Sequence, residues 1–118
     1  MRVTLYGIAN CDKVRSARAW LAQNGIQAGF HDFKLHGVSP DLIAAWLMQL
    51  DWTALLNRRG NTWKQLPEAR RNEVTTAAAA SALMLDQPSV IKRPVIDLDG
   101  KLRLGFDAGT YSRLFGKS

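Results

Sequence analysis

The chain has 118 residues, one cysteine and a formal net charge of +6. That length suits a single domain with a core of its own, and one cysteine excludes an internal disulfide. Tyr6, Gly7, Asn10 and Asp12 interrupt the start before a signal-like apolar run can form, and the longest apolar stretch, Ala77 to Leu85, is far too short to cross a membrane. A reducing cytoplasm is the expected location.

The elements are read in chain order. Val3 and Leu5 alternate with Thr4 and Tyr6, the period of a strand over residues 3–8. Residues 12–23 follow as an amphipathic helix, with Val14, Ala17 and Leu21 on one stripe, Trp20 beside it and Gly25 as its stop. A second strand spans 27–33, so the first three elements form a strand–helix–strand unit with parallel strands. Ser39-Pro40 opens a further helix carrying Leu42, Ile43, Trp46, Leu47 and Leu50. A less regular stretch covers 51–71, and residues 72–86 read as one helix ending near Pro88. Asp99-Gly100 between alternating apolar residues marks a hairpin, and Asp107 caps a last helix bearing Tyr111, Leu114 and Phe115. The expected class is α/β: a thioredoxin-like fold with a mixed parallel and antiparallel sheet and a helical insertion. Residues 1–118 are read as one domain, its core at about 1–36 and 90–118 and the insertion at about 39–88.

Charge is unevenly spread. Residues 57–71 carry +4 and residues 92–118 carry +3, while residues 1–56 carry +1 and residues 72–91 carry −2. Such patches attract anions, or simply keep the surface solvated. No basic recognition helix or stacking-aromatic sheet motif is present, so direct nucleic-acid binding is not expected. His31 and His36 lack partners at metal-ligand spacing, so no metal site is expected, and no phosphate-binding glycine loop points to a nucleotide.

Cys11 stands where the first strand meets the first helix. Unpaired N–H groups and the helix dipole favour an anion there, and a thiolate, unlike a thiol, is a nucleophile. The bland alternative is a small buried apolar residue. Residue 14 is Val, so no Cys-x-x-Cys pair exists, and any adduct on Cys11 needs an outside thiol to resolve it.

Four segments in this order resemble a known family: Tyr6-Gly7-Ile8-x-Asn10-Cys11-Asp12, then Asn57-x-Arg59-Gly60-Asn61-Thr62-Trp63, then Ile91-Lys92-Arg93-Pro94, then Gly105-Phe106. Together they resemble the arsenate reductase (ArsC) family of thioredoxin-fold proteins, and most of all its YffB-like branch, proposed to be glutathione-dependent thiol reductases. The resemblance implies that Cys11 is the nucleophile and that Asn10, Asp12, Lys13 and Arg15 belong to the loop that binds an oxyanion or other substrate group. It implies that Arg93 and a cis Pro94 face the thiol, although an ordinary proline opening a strand is the other reading. A further anion-binding arginine falls at Arg59, with Arg58 as the alternative. The third arginine of glutathione-linked arsenate reductases falls at Gly105, with Arg103 one strand step back, which argues against arsenate as the substrate. The resemblance thus implies a cytoplasmic monothiol oxidoreductase, a monomer with no bound cofactor. It also implies glutathione as co-substrate and a disulfide or small oxyanion as substrate. The alternative is a regulator of the related Spx kind that interacts with RNA polymerase without turnover.

Overall fold

The computed structural model describes residues 1–117. Its elements fall into two compact units, one made of Met1–Leu35 with the chain from Arg93 onward, the other of His36–Lys92. Among the described residues no helix is long and apolar enough to cross a membrane.

The first unit is built on a four-stranded sheet: β1 (Val3–Gly7), β2 (Gly29–Asp32), β3 (Val95–Leu98) and β4 (Lys101–Leu104). The order is β2-β1-β3-β4, with β1 parallel to β2 and antiparallel to β3, and β3 antiparallel to β4. The hairpin joins β3 to β4 as the Asp-Gly pair demands. Asp99 and Gly100 both take positive φ, 52° and 90°, and the Asp97 carboxylate accepts from the Gly100 N–H at 2.7 Å. Alternation along β1 turns Val3 and Leu5 inward, opposite Leu98 and Ile96 of β3.

Helix α1 (Asp12–Gln23) lays Val14, Ala17 and Leu21 on that face, each at most 2% exposed. A side chain of Val or Leu size buried to that degree stabilises the fold by about 1.5–3 kcal/mol. Helix α8 (Ala108–Leu114) closes the same cluster with Tyr111, and Trp20 of α1 meets the Tyr111 ring edge-on at 5.6 Å. Asp107 caps α8 by accepting from the Thr110 N–H at 3.1 Å. Gly25 takes φ +70° after Asn24, ending α1 as its sequence position requires.

Strand β2 is shorter than the 27–33 read from the pattern, because residues 33–36 turn into a one-turn helix, α2 (Phe33–His36). Asp32 drives that switch: nearly buried, it accepts from the Lys34 N–H at 2.8 Å. This is a local side-chain-to-backbone bond of the kind that competes with a strand ladder.

The second unit is helical. It holds α3 (Pro40–Leu47), α4 (Trp52–Leu55), α5 (Asn61–Gln65), α6 (Glu68–Asn72), α7 (Ala77–Asp86) and a 3-10 turn at Pro88–Val90. Ser39 accepts from the Leu42 N–H at 3.1 Å and Pro40 occupies the first turn, as the sequence indicates. The helix expected over 72–86 begins only at Ala77. Thr76, in an extended conformation, accepts from the Ala79 N–H at 3.1 Å and so starts α7 at Ala77, while α6 has already ended at Asn72. The stretch read as irregular contains three one-turn helices, too short to show a periodicity. α7 packs on α3 and α4 and carries Ala80, Leu83 and Met84 into a core with Ile43, Trp46 and Leu55.

Candidate active site

β1 delivers the chain to Gly7, and α1 begins at Asp12. Gly7 is there because of the helix that follows. A Cβ on it would lie 2.7 Å from Cγ2 of Val14, so only glycine lets the first turn of α1 sit this close to the end of β1. Cys11 is the N-cap residue, extended at φ −132° and ψ 129°, and its carbonyl accepts the first helical bond from the Arg15 N–H at 2.8 Å. The thiol lies partly exposed against the core cluster.

Several groups bear on its ionisation. Burial has the largest single influence and pushes the pKa up. It is outweighed by the Val14 N–H, by hydrogen bonding and charge from the Arg93 guanidinium, and by the Lys13 N–H, so the thiol titrates below the ordinary cysteine value. The Cys11 side chain makes no capping hydrogen bond to α1, and the preference for the anion comes from the Val14 and Lys13 N–H groups and Arg93.

Arg93 is half-buried and reaches Cys11 from the loop before β3. The Arg93–Pro94 peptide is cis and Pro94 is fully buried. The Pro94 carbonyl accepts from the Gly105 N–H at 2.8 Å, and the Gly105 carbonyl accepts from the Tyr111 hydroxyl at 3.0 Å.

The loop residues divide by role. Arg15 donates to Asn10 Oδ1 at 3.0 Å and pairs with the Asp12 carboxylate, so these three side chains are bonded to one another on the surface. An exposed pair of this kind is worth at most about 1 kcal/mol. Lys13 is exposed and contributes its backbone N–H to the thiol.

Arg58 and Arg59 belong to the helical unit. The Asn57 side chain accepts from the Arg59 N–H at 3.1 Å, and a Cβ on Gly60 would lie 2.9 Å from Asn57 Nδ2, which makes the turn tight. A short antiparallel bridge pairs Leu56 with Ile91, with the Asn57 N–H donating to Val90 O at 2.7 Å and the Lys92 N–H to Leu55 O at 2.8 Å. Arg58 lies over the Trp52 ring, its guanidinium carbon 5.6 Å from the centroid, and both Arg58 and Arg59 are exposed.

Arg103 is exposed and its guanidinium donates to the Leu102 carbonyl at 3.0 Å. Gly105 lies beyond the end of β4 at φ +82°, so strand alternation no longer relates it to Arg103. Gly7, Gly105 and Tyr111 bear on the site without having been assigned a role from the sequence. The glycines stood inside motif segments, but the close approach and the positive φ that explain them depend on long-range packing. Among the described residues no group of three or more histidine, cysteine or carboxylate side chains could hold a metal ion.

Comparison with known proteins agrees with this arrangement. The ArsC family model matches residues 6–114. An uncharacterized protein of Haemophilus influenzae is 37% identical over 113 residues, covering 96% of this chain and 98% of its own. The solved structure of a protein named YffB superposes with a TM-score of 0.88 at 39% identity, covering 94% of this chain and 96% of its own. An arsenate reductase (ArsC) related protein from Brucella melitensis gives a TM-score of 0.78 at 47% identity, covering 98% of this chain and 95% of its own. With the thioredoxin-like sheet, the cysteine at the N-cap of α1 and the arginine–proline loop all in place, the chain belongs to the ArsC family, as a YffB-like member.

Proposed function

We propose that this protein is a glutathione-linked thiol oxidoreductase that uses Cys11 as its single nucleophile. The observation that carries the reading is the convergence of the Val14 and Lys13 N–H groups and the Arg93 guanidinium on one partly exposed thiol. Membership of a family with arsenate reductase-like structures supports the same class of chemistry.

In the proposed cycle the Cys11 thiolate attacks one sulfur of a substrate disulfide. The Cys11–sulfur bond forms as the substrate S–S bond breaks, and the other sulfur leaves as a thiolate that takes a proton from water. Glutathione thiolate then attacks the mixed disulfide at the substrate sulfur. Cys11 is released as a thiolate and the second disulfide carries glutathione. The chain has no second cysteine that could resolve the adduct from within. Arg93 stabilises the anionic leaving state of Cys11 in the second step as it does the attacking state in the first. A disulfide is favoured over arsenate because Gly105 stands where the third arginine of the arsenate-reducing relatives is expected.

The test is turnover of a glutathione-linked disulfide assay by wild type and Cys11→Ser, with intact-mass measurement after exposure to oxidised glutathione. The reading expects a glutathione adduct on Cys11 and no turnover by Cys11→Ser. A thiol that forms no adduct while free cysteine does so under the same conditions refutes it.

A further inference from the structure

Tyr111 is more than a core aromatic residue. Its ring is 1% exposed and is clasped by Phe106 at 4.8 Å and Trp20 at 5.6 Å, both edge-on. A phenylalanine would fill that space equally well. The hydroxyl, however, donates to the Gly105 carbonyl at 3.0 Å, and the Gly105 N–H donates to the Pro94 carbonyl at 2.8 Å. Gly105 sits at φ +82°, where backbone is otherwise loosely determined, so the two bonds on either side of its Cα define its orientation. Pro94 is bonded to Arg93, the residue whose side chain meets the Cys11 sulfur.

We infer that Tyr111 is a positioning residue for Arg93: its hydroxyl, acting through Gly105 and the Pro94 carbonyl, holds the arginine loop in register with Cys11. The inference rests on the reading of Cys11 as the nucleophile. The chain of contacts runs from the last helix, through the end of β4, to the loop before β3, and ends at the reacting sulfur. Burial raises the Tyr111 pKa far above the range in which a thiol titrates, so the phenol remains a donor throughout.

The experiment is the pH dependence of Cys11 alkylation by iodoacetamide in the full chain. Tyr111→Phe should raise the Cys11 pKa by about half a unit, about threefold less thiolate at pH values well below it. Arg93→Gln should raise it further, and adding Tyr111→Phe to Arg93→Gln should produce no additional shift, as expected when two residues act in series. Trp20→Phe, which disturbs the ring cluster and keeps the hydroxyl, should lower thermal stability without moving the profile. Gly105→Ala perturbs the same link at a positive φ with open space around its Cβ, and should move the profile as Tyr111→Phe does. The positioning role is overturned if folded Tyr111→Phe keeps the wild-type profile while Arg93→Gln shifts it. It is also overturned if Trp20→Phe moves the profile equally, or if the Tyr111→Phe shift persists in full without Arg93. If Cys11 in wild type titrates at the ordinary cysteine value and Arg93→Gln has no effect, the nucleophile reading itself fails and the positioning role with it.

Discussion

Gly7→Ala is the smallest change that should disturb both the fold and the thiol. The added methyl would lie 2.7 Å from Val14 Cγ2, about 1 Å inside an ordinary carbon–carbon contact. Val14 cannot yield by rotating. It is β-branched, it sits in a helix where one χ1 rotamer dominates, and it is wholly buried. The strain must therefore be taken by the first turn of α1, at a cost of about 1–3 kcal/mol, the usual range for one methylene too many in a packed core. With a urea slope of about 1–3 kcal/mol per molar for a small domain, the unfolding midpoint should fall by about 1 M. The same turn supplies the Val14 and Lys13 N–H groups to Cys11, so its displacement should also raise the Cys11 pKa. Val14→Ala isolates the contact. It leaves Cβ, 3.7 Å away, as the nearest atom, at the cost of a cavity. Added to Val14→Ala, Gly7→Ala should cost little more. Urea unfolding with alkylation-rate profiles on the four proteins gives the answer. Additive losses, or a Gly7→Ala protein with wild-type midpoint and thiol reactivity, would refute the packing argument.

Further outcomes are expected elsewhere. Because the native Cys11 pKa is depressed, the thiolate contributes stability that is fully present above the unfolded value, near 8.5, and is lost as pH falls through the native value. The stability advantage of wild type over Cys11→Ser should therefore grow with pH across that window and then level off, read by urea unfolding at several pH values. A difference that shrinks with rising pH contradicts the sign of the shift. Thr76→Ala should cost about 1 kcal/mol in unfolding free energy by removing the α7 cap. Equal stability would mean that packing alone starts that helix.

The order of strands and helices in the first unit was legible because each signal is local. The period of β1, the stripe on α1, the Asp-Gly hairpin and the Asp107 cap all depend on a few neighbouring residues. The helical unit was less legible for the same reason. α4, α5 and α6 span four or five residues each, and a single threonine hydroxyl decides where α7 begins. The structure brings the Arg93 side chain to Cys11, and Arg15 turns back onto Asn10 and Asp12. Its position in the motif could not reveal that a neighbouring carboxylate would engage it.

Gly105 changes most between the two levels of description. In the sequence it is an arginine that is missing, and it speaks only against arsenate. In the folded chain it is a backbone junction at positive φ, accepting from Tyr111 and donating to Pro94. An arginine would find room for its side chain there but would strain the backbone, since nothing lies within 4 Å of the Cβ and φ is +82°. What the glycine supplies at this position is a backbone bonded on both sides, beside the loop that carries Arg93. Among the described residues of the sheet-based unit, Arg93 is the guanidinium that meets Cys11, and under the proposed function a single charge there suits a substrate whose reacting atom is a neutral sulfur better than one whose reacting centre is a multiply charged oxyanion.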